Sequence, residues 1–189
     1  MPRLKQVLYA PNQLTLLRLI FIPFVIVSIV VEEYGTAFAL VLVAGITDGL
    51  DGLLARRLGQ QTELGGYLDP IADKLLLTSS FVALGLDRRI PLWLVILVLS
   101  RDIIILVTAL VMVLTTSLRK FPPSLYGKIN TVGQVATVLL TLLVLLYSHV
   151  LLYWFQQAAV YLTGIFTVIS GLHYAFATAE RLRRLERAP

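Results

Sequence analysis

The sequence predicts an all-α integral membrane protein: a short amphipathic N-terminal lead-in, then six transmembrane helices, with both termini cytoplasmic. Three observations predict it. Of 189 residues, 58% are hydrophobic and only 14% charged, against about a quarter charged in soluble domains, and mean hydropathy is +0.85. The apolar residues gather into six runs, over 14–31, 36–54, 71–86, 91–115, 129–147 and 151–179, most of them near the ~20 residues that a helix needs to cross a bilayer. Within these runs polar and apolar residues do not alternate, so the closed barrel, the other fold whose backbone is satisfied in lipid, is excluded.

Taken in order, residues 2–12 read as an amphipathic approach rather than a cationic leader, with Pro11 and Asn12 where it meets the first run. That run is longer and less cleanly flanked than a cleavable signal, so it is expected to stay in the mature protein. Pro23 should kink it, which membrane helices tolerate when neighbours satisfy the freed carbonyl. The second and third runs are joined by a polar stretch over 56–69, and the fourth and fifth by one over 117–128, punctuated by Pro122, Pro123 and Gly127. No repeat or long linker divides the chain, which reads as one domain over 1–189.

An even number of spans puts both termini on one side. Arg3, Lys5, Arg181, Arg183, Arg184 and Arg187 mark that side as cytoplasmic, and Arg56, Arg57, Arg119, Lys120 and Lys128 agree. The opposite connections carry Glu32 and Glu33 or no charge, apart from Asp87, Arg88 and Arg89. Trp93, Tyr153 and Trp154 are expected as anchors at the outer interface.

The net charge of +5 does not point to nucleic acid, because the basic residues sit at helix ends, where they favour anionic headgroups. With no cysteine, disulfides and thiolate metal sites are excluded, and His149 and His173 are too far apart to share one helical face; both read as packing residues.

Against this background, four aspartates stand out: Asp48, Asp51, Asp69 and Asp73. A charge at the bilayer centre costs about 2.5–3.5 kcal/mol even on a lenient insertion scale, so intramembrane acids are functional by default and carry partners. Asp48 and Asp51 share a face at the end of the second helix, and Asp69 and Asp73 share one at the start of the third. With the 57–68 loop between them the two pairs can converge at one shallow depth near the cytoplasm, where they repel one another unless cations neutralise them. Oxygen ligands without His or Cys favour Mg²⁺, Mn²⁺ or Ca²⁺. One or two such ions suit four acids, and two ions would clamp an in-line displacement at phosphorus. Beside the acids, Gly49, Gly52, Ala55, Gly65 and Gly66 strip bulk from the helix ends, to admit something large or, with Gly45, to let helices pack closely.

The pattern Asp-x2-Asp-Gly-x2-Ala-Arg-x8-Gly-x3-Asp-x3-Asp, complete here, resembles the signature of the CDP-alcohol phosphatidyltransferases. The segments 11–18 and 68–74 resemble that family too, so the likeness spans nearly the whole chain. It implies a six-helix enzyme, usually a homodimer among membrane lipids, that moves a substituted phosphate from a CDP-linked donor such as CDP-diacylglycerol to a hydroxyl acceptor and releases CMP. Carried over by position, Asp48, Asp51 and Asp69 would ligate Mg²⁺ or Mn²⁺, and Asp73 would lie near the metals as general base. Gly52, Ala55, Arg56 and Gly65 would line the CDP pocket. Asn12 and Thr15 join them as donor-site candidates, with helix capping as the alternative. The active site would face the cytoplasmic side of a bacterial inner membrane.

Arg101, inside the fourth run beside Asp102, and Lys128, opening the fifth, invite an anionic acceptor; the alternatives are an ion pair with Asp102 or the aspartates, and interfacial snorkelling. Residues 100–104 and 127–134 resemble the glycerol-type branch, the phosphatidylglycerophosphate and cardiolipin synthases. Asp102 in place of Glu, Ala109 in place of a second Arg, and Asn130 within Lys-x-Asn-Thr-x-x-Gln incline toward phosphatidylglycerol over glycerol 3-phosphate as acceptor. Inositol phosphate, serine, choline and ethanolamine stand behind these. Two other classes compete: a cation-coupled transporter, whose polar groups should spread toward the midplane, and a salt-bridged scaffold matching Arg56 and Lys74 against Asp69 and Asp73, which leaves acids unpaired.

Overall fold

A computed structural model describes residues 10–58, 63–115 and 125–186, nearly all of them helical and none in a strand. The helices are α1 (Ala10–Val30), α2 (Tyr34–Leu58), α3 (Glu63–Leu86), α4 (Leu92–Thr115), α5 (Leu125–Tyr147) and α6 (Val150–Glu186). Each contains most or all of one apolar run. The lead-in expected over 2–12 lies largely outside the described residues, and its last three residues form the start of α1, which also continues through Pro23. Pro11 fits there because the first turn of a helix has no partner for its missing N–H.

Helices at the acidic end outrun the apolar pattern. The loop expected over 57–68 is helical over 57–58 and 63–68, since polar residues such as Glu, Arg and Gln continue a helix as readily as apolar ones.

At the other end the connections are tight. Glu32 (φ 62°), Arg88 (φ 57°) and Ser148 (φ 45°) each take the left-handed conformation just past a helix. At the first two, paired backbone bonds close the helix: Glu33 N to Ser28 O (2.8 Å) with Glu32 N to Ile29 O (3.1 Å), and Arg89 N to Leu84 O (2.8 Å) with Arg88 N to Gly85 O (3.1 Å). These 6→1 and 5→2 bonds form the Schellman motif, which satisfies carbonyls that a helix end would otherwise leave open. Two of the three charges at 87–89, those of Asp87 and Arg89, are accounted for here. Asp87 accepts from Tyr34 Oη and from Arg89 Nε, each at 3.0 Å, and Arg89 reaches Glu32 (3.5 Å) and covers the Tyr34 ring. The bond to Asp87 pushes the Arg89 pKa further up, so this cation is held by its own neutralising network, which ties the α1–α2 turn to the α3–α4 turn.

α1 packs on α2 and α3, α5 packs most extensively on α6, α4 lies against α6, and α2 touches α5. The exterior is apolar: Phe24, Val30, Ile96, Leu106, Trp154 and Phe176 are among many large side chains left exposed. Many of the wholly buried positions are polar, including Thr15, Arg18, Asn130, Gln134, Thr163 and Thr167. A chain that turns grease outward and polarity inward is solvated by lipid, and the protein is membrane-associated. α5 and the Val150–Phe176 stretch of α6 are each long and apolar enough to cross a bilayer, with mean hydropathy 2.0 and 1.4.

The interior has two tiers. Toward the tight turns it is an apolar core of Val25, Ile29, Phe81, Leu84, Leu94 and Leu142. Toward the acidic end, the inward faces of α1, α4, α5 and α6 change to Arg18, Arg101, Asn130 and Thr167. α5 and α6 are joined by three antiparallel rungs: Asn130–Thr167 (2.8 Å), Thr137–Thr163 (3.0 Å) and Thr141–Gln156 (3.4 Å). In lipid, where apolar packing supplies little drive, such bonds contribute about 0.6 kcal/mol each on average. Gly133 permits the approach, for a β-carbon there would lie 2.8 Å from Thr163 Oγ1.

Candidate active site

The acidic motif is split between the last turns of α2, which carries Asp48, Asp51, Gly52, Ala55 and Arg56, and the first turns of α3, which carries Gly65, Asp69 and Asp73. The helical backbone puts Asp48 and Asp51 on one face of α2, and Asp69 and Asp73 on one face of α3. The side chains of 48–58 and 63–70, and that of Asn12, lie outside the described residues. Asp73 is described, and what holds it is a residue that sequence reasoning missed. Arg18 of α1, 1% exposed, donates from Nη1 to Asp73 Oδ1 at 2.5 Å, with the carboxylate 39% exposed. Thr15, one turn earlier on α1, is fully buried.

From Asp73 a chain of polar contacts crosses the bundle. The next residue on α3, Lys74, is ion-paired with Asp102 of α4. Asp102 Oδ1 also accepts from Arg101 Nη1 at 3.1 Å, and Arg101 Nη2 donates to Ser170 Oγ of α6 at 2.6 Å. The ion pair weighed for Arg101 is therefore formed, yet the guanidinium is only partly used: its Nε is buried without a partner. Among the described residues, Lys74 pairs with Asp102 of α4 and not with its neighbour Asp73, because residues one apart on a helix face different ways. Lys128, on the first turn of α5, is exposed.

Beside Arg101 on α6, one turn before Ser170, Thr167 has one hydroxyl proton and two acceptors in reach, Thr163 O (2.7 Å) and Asn130 Oδ1 (2.8 Å). Asn130 Nδ2 and Gln134 Nε2 are buried without partners.

His149 Nδ1 accepts from Leu151 N at 3.2 Å, and the His173 ring packs on Tyr126 with centroids 5.0 Å apart. The acidic motif itself offers carboxylate oxygens, ligands that suit a hard divalent cation better than zinc or copper. Close helix packing is one of the two readings weighed for the small residues, and at Gly45 a β-carbon would meet nothing within 4 Å, so among the described residues it fills no helix contact.

Comparison with known proteins bears on this arrangement. A model of the family described as CDP-alcohol phosphatidyltransferase matches residues 8–169. The chain is 32% identical over 188 residues to the CDP-diacylglycerol–glycerol-3-phosphate 3-phosphatidyltransferase of Bacillus subtilis, covering 92% of this chain and 96% of that one. It is 35% identical over 173 residues to a probable phosphatidylglycerophosphate synthase of Mycobacterium tuberculosis, covering 86% and 78%. It is 37% identical over 140 residues to the CMP-forming cardiolipin synthase of Streptomyces coelicolor, covering 70% and 61%.

Proposed function

Because the chain belongs to the CDP-alcohol phosphatidyltransferase family, we propose that it transfers the phosphatidyl group of CDP-diacylglycerol to phosphatidylglycerol, releasing CMP and forming cardiolipin. It is an enzyme of phospholipid biosynthesis that uses a glycerol-type acceptor; the choice of phosphatidylglycerol over glycerol 3-phosphate is the finer part of the proposal. The complete acidic motif on α2 and α3 carries the reading.

In this reading Asp48, Asp51, Asp69 and Asp73 hold one or two Mg²⁺ or Mn²⁺ ions. Bound there, the metal neutralises the donor's diphosphate and makes CMP a good leaving group. Asp73, fixed by Arg18, takes the proton of the attacking hydroxyl. Gly52, Ala55 and Gly65 let the nucleotide approach the helix backbones, Arg56 pairs with a donor phosphate, and Asn12 and Thr15 close the donor side from α1. Arg101 and Lys128 face the acceptor. The charge they offer is reduced by Asp102, which takes a bond from both Arg101 and Lys74; that favours a singly charged phosphodiester acceptor.

The chain would form a single domain of six spans with its acidic end and both termini cytoplasmic. The basic residues Arg181, Arg183, Arg184 and Arg187 beyond the acidic end and the exposed Trp154 and Tyr153 at the other end support that orientation. Assembly as a homodimer belongs to the same proposal. The test is product analysis: purified protein, labelled CDP-diacylglycerol and Mg²⁺ or Mn²⁺, with phosphatidylglycerol or glycerol 3-phosphate supplied. Labelled cardiolipin supports the proposal; labelled phosphatidylglycerophosphate alone would move the acceptor to glycerol 3-phosphate.

A further inference from the structure

We propose that Asp102 sets the net charge of the acceptor site, and so decides between a singly charged phosphodiester and a doubly charged phosphate monoester. The inference rests on the reading of Arg101 as a residue that faces the acceptor. Three charged side chains meet at this point of the bundle. Asp102, 9% exposed, accepts from Lys74 of α3 and from Arg101 beside it. Two cations and one anion leave a single positive charge.

The arrangement is a poor way to stabilise a membrane bundle. Asp102 Oδ2 and Arg101 Nε are buried with no partner, and a buried ion pair seldom improves on apolar packing of the same volume. It is a good way to meter charge. Arg101 is anchored on both sides, by Asp102 at Nη1 and Ser170 at Nη2, which leaves its Nε among the N–H donors still unused. Lys74 is 43% exposed, so its charge is felt beyond the pair. Lys74 follows Asp73 directly, which places this charge balance next to the proposed general base.

A phosphate monoester carries about −1.5 to −2 near neutral pH, its second ionisation lying near pH 6, whereas a phosphodiester carries one negative charge. Each unit of positive charge added to the site therefore helps the monoester more, and each unit removed hurts it more.

The quantity to measure is the ratio of kcat/KM for glycerol 3-phosphate to that for phosphatidylglycerol, with CDP-diacylglycerol as donor, in the full-length protein. Asp102→Asn raises the net charge by one and should raise this ratio roughly tenfold, a modest fraction of the Coulomb interaction of two charges at an effective dielectric near 20. The shift should fall mainly on acceptor KM, with the KM for CDP-diacylglycerol unchanged. Lys74→Met should move the ratio the other way, and Lys74→Met with Asp102→Asn should return it toward wild type. A merely structural Asp102 would lower the melting temperature or scale both acceptors equally, leaving the ratio fixed across the series, and that result would overturn the proposal.

Should Asp102→Asn fail to fold, Lys74→Met and Asp102→Glu decide the matter. The first must lower the ratio, and the second, which keeps the charge, must hold it whatever its overall rate; a ratio unmoved by Lys74→Met contradicts the inference. Wild-type preference for glycerol 3-phosphate would contradict the acceptor reading alone, for the direction of each change is read on the same two acceptors. If the wild type used neither acceptor, both would fall.

Discussion

Arg18 on α1 and Asp73 on α3 meet 55 residues apart in sequence, the guanidinium fully buried and the carboxylate partly open. A buried cation that grips the proposed general base helps to fix the direction in which it can act. The pairing gives the first turns of α1 a place in the chemistry that their composition alone did not announce.

Arg18→Met should remove a buried cation from Asp73, two-fifths exposed, and loosen its orientation. We expect turnover to fall roughly a hundredfold, the scale of loss that a small misplacement of a catalytic group produces. Arg18→Lys should recover part of it, since an ammonium supplies the charge without the planar fork. Rates of CMP release together with melting temperature check this; full activity in Arg18→Met would contradict it.

Asp69→Asn should abolish turnover while the protein stays folded, because the carboxylate sits in the first turns of α3 and is assigned to metal rather than to packing. Normal CMP release by this variant would sink the metal assignment. Removing divalent ions with a chelator should have the same effect on the wild type, reversed by Mg²⁺ or Mn²⁺.

Arg101→Ala removes a guanidinium bonded to Asp102 and Ser170. We expect the KM for the acceptor to rise about tenfold or more, as loss of a charged hydrogen bond implies, with the KM for CDP-diacylglycerol nearly unchanged. Equal saturation curves for the acceptor would return Arg101 to a structural role.

Two glycines should respond oppositely to alanine. At Gly164 a β-carbon would lie 2.8 Å from the Trp93 ring, and overpacking of this kind costs about 1–3 kcal/mol. At Gly45 nothing lies within 4 Å, so Gly45→Ala gains helix propensity of up to about 1 kcal/mol. Thermal unfolding in detergent checks both: Gly164→Ala should melt lower than wild type and Gly45→Ala no lower.

Much of this was legible in the sequence. Six apolar runs foretell the six helices of the described residues, and the acidic signature points to a site because four carboxylates in so apolar a chain call for partners. The helix ends were not legible: α3 begins at Glu63, eight residues before its run, since hydropathy is blind to helix built from polar residues. The partners were not legible either. Arg18 was visible as a lone charge in an apolar run, which is itself a functional signal, but its pairing with Asp73 depends on α1 packing on α3. Likewise Lys74 could be matched with its neighbours on α3 until the fold brought Asp102 beside it.

The decisive measurement is CMP release by the purified protein with CDP-diacylglycerol, phosphatidylglycerol and Mg²⁺ or Mn²⁺. Release should require both the metal and the acceptor, and should disappear in Asp69→Asn. Folded protein that releases no CMP with phosphatidylglycerol or glycerol 3-phosphate under these conditions would contradict the assignment of this chain as a phosphatidyltransferase with a glycerol-type acceptor.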